Sequence, residues 1–362
     1  MPSSSHVSNI NHTVLLQALA TQGAGFGTVT LFVDQAAGNP LSGGARFQDF
    51  FSVDDADAAQ VAGEISAGTV DIIDVAFAQR VQPAKFRVCR IDTAGGESHA
   101  DALTALRAEG LSDVWMLVTD SRTVSEQLNL AAAVETYGGE HACMLQSNDA
   151  DWLTGGFPGA WSAIEENVWT AMVYHDSTAE FLDVACAVRN LAFDPDETSV
   201  PWEKDVAGVA AYTSYVTPAQ RNFAFTNNIA IMGTWGSSDY WVDRVVSQEG
   251  RPLKELLTAS WYKARVNESI QTMHQRELAA GRAVLVSQQG MSQLVGAIES
   301  VNGTAVAAGH FNPGQVVTTP QPITDADISN QRLRATTEAQ VGTGARVFTI
   351  TSNLSQTAVV AE

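Results

Sequence analysis

Basic residues are scarce in this chain: 20 Lys and Arg stand against 40 Asp and Glu, a net charge of −20 over 362 residues. Such a surface repels phosphate, which excludes direct binding to nucleic acid or to an anionic lipid surface. Cysteine is scarcer still. Cys89, Cys143 and Cys186 are odd in number and not closely spaced, which excludes a disulfide framework and a zinc site. Two of them sit in apolar runs, KFRVCRI and HACMLQS, and read as small buried hydrophobes. No apolar run approaches 18 residues, so no transmembrane helix is expected. The first residues, MPSSSHVSN, lack the basic and apolar regions of a signal peptide, which predicts a soluble protein made in a cytoplasm. Catalytic signatures are missing as well. The seven histidines form no HExxH or HxH pair, no GxSxG elbow occurs, and there is no phosphate-cradling P-loop.

What is present is a chain with 45% hydrophobic residues, enough for a substantial core. Strand-like runs at 28–33, 85–91, 113–119, 141–147 and 167–175 alternate with amphipathic helix-like stretches near 54–67, 97–109, 122–136 and 177–192. Capping-box spacings, Thr123 with Glu126 and Ser177 with Glu180, predict helix starts. This alternation predicts an α/β fold with a mostly parallel sheet flanked by helices in the first half. The Pro-bearing stretch 193–205 marks a boundary. Beyond it come a helix capped by Thr217 with Pro218 at its first position, strands at 227–236 and 239–247, and helices from Arg251 to about Ala280 and from Ala283 to Val301. Residues 309–324 hold three prolines and read as extended or looped. The expected division is an N-terminal arm (1–26), an α/β domain (27–205), an α+β C-terminal assembly domain (206–343) and a C-terminal β arm (344–362), with extended β arms at both termini.

Two patterns look chemical. GAGFG (23–27) superficially matches a dinucleotide loop, but it precedes a strand and opens no helix, so it reads as a turn. Acids close several strands: Asp34, Asp92, Asp120 and, just beyond its strand, Asp149. Carboxylates gathered at the carboxyl ends of parallel strands are able to hold Mg²⁺, and this is the rival reading, an Mg²⁺-dependent enzyme on a doubly wound sheet using Asp34, Asp92 and Asp120. The ordinary alternative is that each Asp caps a helix or makes a turn. Asp243 and Arg244 read as an ion pair rather than an acid/base pair. No metal, no cofactor and no enzymatic activity is expected.

Both chain ends are β-capable. HVSNINHTVLLQ (6–17) places Val14 and Leu16 on one face and Leu15 on the other; Val347, Phe348, Thr349 and Ile350 belong to a second β-rich run, ARVFTIT. Two such arms suit strand addition to a neighbour's sheet, so the arms are expected to pair at least partly outside their own subunit; the alternative is that both pair within it.

Between the arms the chain resembles the contractile tail sheath proteins of tailed bacteriophages, the smaller sheath-like family. The resemblance rests on ordered segments: TQGAGFGTVTLFV, RFQDFFSVDDAD, FAQRVQPAKFRVCRID, ALTALRAEGLSDVWMLVTDSR, VTPAQRNFAFTNNIAIMG and YWVDRVVSQEGRPLKELL. The C-terminal third, including QQGMSQLVGAIESVNG, matches least. The resemblance implies a structural virion protein of the viral tail, assembled in the host cytoplasm into a helical homopolymer of stacked rings around a tail tube protein. Baseplate and tail terminator proteins would be its other partners, and contraction would serve genome ejection through the host envelope. In that setting Gly23, Gly25, Gly27, Gly342 and Gly344 are expected hinges beside the arms, and Arg251 and Lys254 a tube-facing patch. A different tail or baseplate part remains the structural rival.

Overall fold

A computed structural model describes residues 7–13, 26–35, 41, 45–109, 113–155, 159–199, 202, 204–214, 216–235, 239–243, 245–329 and 332–342. After an outlying strand β1 (Val7–Thr13), the body begins with β2 (Thr28–Asp34) and a short β3 (Phe47–Phe50). The helix expected near 54–67 ends early, as α1 (Val53–Val61), and a further helix that the sequence pattern did not indicate, α2 (Ala67–Phe77), follows it. Gly63, at φ +77°, takes a left-handed turn that ends the first, and the Ser66 hydroxyl caps the second. Then follow β4 (Phe86–Ile91), α3 (His99–Ala108), β5 (Val114–Thr119), α4 (Val124–Thr136), β6 (Ala142–Ser147), β7 (Thr170–Tyr174), α5 (Leu182–Leu191) and β8 (Lys204–Val206). α6 (Pro218–Thr226), β9 (Ile229–Trp235) and β10 (Asp239–Asp243) complete the body.

Strands β2 to β10 form one nine-stranded sheet in the order β3-β4-β2-β5-β6-β7-β9-β10-β8. Its centre is parallel; only β3, β10 and β8 at the two edges run antiparallel to their neighbours. The α/β expectation with a mostly parallel sheet therefore holds. The sheet also runs past residue 205, taking β9 and β10 from the chain beyond it.

Neighbouring side chains alternate between two cores. Leu31, Val88 and Val118 face α2, α5 and the C-terminal helices, whereas Phe32, Cys89 and Leu117 face α3 and α4. Covering both faces explains why these strands read as continuous apolar runs rather than alternating ones. All three cysteines are buried and free; burial pushes the Cys89 and Cys143 thiols up to about 12.

Both capping boxes expected from spacing fail. Thr123 flanks α4, but its side chain makes no capping bond. Ser177 lies ahead of α5 in a turn that caps Ala179, and Glu180 instead accepts the backbone N–H of Ala210 at 2.9 Å. Tertiary partners won over the local signal. Boxes do form at Ser98–Asp101 and at Thr217–Gln220, and Thr217 caps its helix with Pro218 in the first turn, as expected.

The C-terminal part holds the antiparallel pair α7 (Leu253–Ala279) and α8 (Gln288–Ala307), then β11 (Phe311–Pro320), α9 (Asp325–Ser329) and β12 (Arg334–Val341). The stretch read as extended or looped is thus an edge strand, which prolines tolerate. A second sheet, in the order β1-β12-β11, is antiparallel throughout. Among the described residues no helix is long and apolar enough to cross a membrane.

Candidate assembly interface

The crest of the large sheet carries the acids that the sequence places at strand ends. Asp34, Asp92, Asp120 and Asp149 do stand at or just past the carboxyl ends of β2, β4, β5 and β6. Each is engaged locally. The Asp120 carboxylate accepts the Asp34 N–H at 3.3 Å, and Asp34 Oδ1 accepts the Thr93 N–H at 3.2 Å. Asp92 Oδ1 accepts from Gly95 at 2.8 Å, and Asp149 Oδ1 from Asp151 at 3.0 Å. Burial, opposed by the Asp34 N–H, pushes Asp120 up to about 6. Among the described residues no three His, Cys, Asp or Glu side chains are placed to share a metal ion. Asp34, Asp92 and Asp120 each act as turn or crossover groups, with a carboxylate oxygen spent on a backbone N–H. A cavity of about 280 Å³ lies beside them, lined by Arg122, Gln146, Ser147, Asp149, Trp161 and Thr178. Its central groups already have partners: Arg122 forks onto buried Asp183 with both bonds at 2.9 Å, and Gln146 binds the backbone at Ser177, Glu180 and Leu182.

The small sheet has a different character. Its middle strand is β12. On one side β11 pairs as a hairpin partner, Thr318 opposite Thr337 and Pro320 opposite Ala335. On the other side sits β1, from the far end of the chain, with Val7 opposite Gln340 and Thr13 opposite Arg334. A polar chain ties this sheet to its helices. Tyr262 Oη donates to Asn302 Oδ1 at 2.6 Å, Asn302 Nδ2 donates to Thr318 Oγ1 at 2.9 Å, and the Thr318 and Thr337 hydroxyls meet at 3.2 Å. The start of β12 is fixed by Asp327, which accepts from Arg332 and Arg334 at 2.5–3.0 Å; those guanidiniums and the Thr324 hydroxyl hold its carboxyl far below the usual range.

The two edges of this sheet are unequal. The Gln321 N–H donates inward to Arg334 O at 2.9 Å, so by alternation position 320 would direct its N–H outward. Position 320 is proline and has none. The β11–β12 register also slips between Phe311 and Val316, around Pro313 and Gly314. A bulge and a missing donor make the outer edge of β11 a poor template for another strand. The β1 side has no such guard in its backbone.

The structure places the expected arm and hinge residues as follows. Val14, Leu15, Leu16, Gly23, Gly25, Gly344, Val347, Phe348, Thr349 and Ile350 lie outside the described residues. Strand 7–13, expected to pair outside its own subunit, pairs in the isolated chain with its own β12, because that strand offers a full row of unpaired backbone groups. Gly27 is exposed, and a Cβ there would meet only Leu191 O at 3.5 Å. Gly342 is packed tightly: a Cβ would lie 2.7 Å from Gly309 O. Arg251 is exposed and pairs with Glu249 at 2.9 Å. The Lys254 ammonium is turned inward, donating to Gly342 O at 2.5 Å. The sequence reading overlooked β12 itself as the receiving strand. Its alternation, RATTEAQV with Ala335, Thr337 and Ala339 buried, was the available signal.

No family model and no curated protein matches this sequence. Solved structures do match in fold. A chain of the anti-feeding prophage helical sheath in its contracted state is 12% identical with a TM-score of 0.66, over 98% of this chain and 100% of that one. A chain of the anti-feeding prophage baseplate gives 0.68 at 12% identity, over 95% and 98%. The sheath tail protein of Desulfitobacterium hafniense gives 0.57 at 9% identity, over 84% and 92%. At these identities the likeness establishes a shared fold, that of contractile sheath proteins.

Proposed function

We propose that this chain is a structural subunit of a contractile sheath in a phage tail or phage-tail-like particle. It polymerises into a helical tube around an inner tail tube and contracts to drive that tube through an envelope. The observation that carries this is the end-to-end match to the contracted anti-feeding prophage sheath chain, which leaves no part of that chain and almost none of this one unaccounted for. The match to a chain of the baseplate structure supports contact of the sheath with a baseplate. The tube protein and a terminator are partners that the mechanism requires.

Strand exchange supplies the joint in this reading. The seat on β12 now filled by its own β1 is the one a neighbour's arm would take, because β11's outer edge is guarded. Fourteen residues separate Thr13 from Thr28, and twenty follow Gly342. Fully extended these would span about 50 and about 70 Å, against a body about 50 Å across for a chain of this length. Either arm is therefore long enough to reach a neighbour. A head-to-tail contact that does not close on itself makes a helix, and arms that stay paired would let subunits move as near-rigid bodies during contraction. Negative-stain electron microscopy of the purified chain tests the function: tubes of uniform width are expected. A chain ending at residue 344 should fold and stay dispersed, and tubes from that truncation would remove strand donation as the joint.

A further inference from the structure

Lys254, His310 and Gly342 meet just past the end of β12, at the last described residue. Both backbone groups of Gly342 are bonded: its N–H donates to His310 O at 2.7 Å, and its carbonyl accepts from Lys254 Nζ at 2.5 Å. Its φ is not in the left-handed region, so the demand for glycine comes from the approach of Gly309 O rather than from backbone strain. Gly309, at φ +79°, is the left-handed residue that ends α8, and the His310 N–H closes that turn on Ala305 O at 2.8 Å.

His310 then carries the contact inward. Its ring is buried and stacks on Trp261 with centroids 4.3 Å apart and planes 15° apart. Nε2 lies 2.7 Å from Pro195 O, which can only accept, so Nε2 bears the proton and Nδ1 accepts the Thr258 hydroxyl at 2.8 Å. Asp196, next to Pro195, is bound by Trp261 Nε1 at 2.8 Å and forked by Arg265 at 2.6 and 2.7 Å. The Ser199 N–H bonds Ala308 O at 2.7 Å. The segment that follows α5, the wholly buried helix of the large domain (the nine-stranded sheet with the helices packed on it), is thus tied to both α7 and the end of α8.

We propose that Lys254, His310 and Gly342 form an exit clamp that positions the C-terminal arm and passes its load to the large domain. The reason is mechanical. Pulling on residues 343–362 away from the sheet, across the ladder, would peel β12 from its free end, one ladder pair at a time. A bond on each side of Gly342 closes that end, and the route through Trp261, Thr258 and Pro195 ends on the chain leaving α5. Any hinge for the arm then lies beyond Gly342. The load part of this proposal rests on the sheath reading; the clamp itself belongs to the unassembled chain.

Hydrogen exchange at the Gly342 amide, followed by NMR on the full-length unassembled chain, tests the clamp without assembly. The amide should be protected in the wild type. Lys254→Met should raise its exchange rate at least tenfold while leaving the melting temperature nearly unchanged, and Lys254→Arg, which keeps a charged donor, should restore much of the protection. Tubes built from Lys254→Met chains should shed subunits on contraction more than wild-type tubes do. A Gly342 amide that exchanges at the rate of an unstructured peptide overturns the clamp whatever the tubes do, and so does protection that Lys254→Met leaves unchanged. A protected amide in a chain that never forms tubes keeps the clamp and counts against the sheath reading.

Discussion

Asp120 shows how single residues here serve structure at some energetic penalty. Its carboxyl is raised to about 6 by burial, so the folded state holds a proton that the unfolded chain has released above pH 4. By linkage, stability contributed by this group falls as pH rises from about 4 through about 6. Asp120→Asn retains an acceptor for the Asp34 N–H and loses the charge. It should stabilise the fold at pH 7 by about 2 kcal/mol and hardly at all at pH 4, measured by thermal melts at the two values. Asp183 is the opposite case. It is fully buried and, among the described residues, its one ion-pair partner is the Arg122 fork, with Phe181 under the guanidinium at 4.8 Å. Arg122→Met leaves that carboxylate without a partner and should cost about 3–5 kcal/mol, read in urea unfolding. Neither role was legible in the sequence. Arg122 and Asp183 are 61 positions apart, and no local pattern says that they meet.

At the level of elements, the strand-and-helix alternation of the body was readable because both faces of its sheet are covered, and such strands are continuous apolar runs. The C-terminal strands were harder to read. β11 carries Pro313 and Pro320 and is largely exposed, so its composition resembles a loop; only its pairing with β12 makes it a strand. β1 and β12 make the sharpest prediction at this scale. Deleting residues 1–13 should leave a folded chain with the β12 edge open, and a synthetic peptide of residues 6–17 should bind it, checked by fluorescence anisotropy; added peptide should then block tube growth by wild-type chains. A truncated chain that ignores the peptide would show that β12 does not receive strands.

The whole molecule is electrostatically lopsided. Residues 1–243 hold 31 acidic and 10 basic residues, net −21, whereas residues 244–362 hold 9 and 10, net +1. The acidity therefore belongs to the large domain, and the part carrying the small sheet is neutral. Bringing many such large domains together in one polymer sets like charges against each other, which salt screens over about 10 Å at 0.1 M. Tube formation should accordingly strengthen as NaCl is raised from about 0.05 to about 0.5 M, followed by sedimentation. Tubes that dissolve over that range would point to interfaces held by opposite charges instead.

The sequence by itself determined the local matters: which runs are strands of a two-sided sheet, where Thr217 and Pro218 start a helix, that residues 7–13 are β-capable, and that no familiar catalytic pattern is present. Those follow from side-chain periodicity and backbone preference, which act over a few residues. Tertiary structure alone decided that β1 sits on β12, that Lys254 faces Gly342 rather than outward, that Glu180 holds Ala210 instead of capping α5, and that the Asp120 carboxylate binds the Asp34 N–H. Each of these is a choice of partner between positions distant in the chain, made when burial leaves a polar group with only one neighbour able to satisfy it.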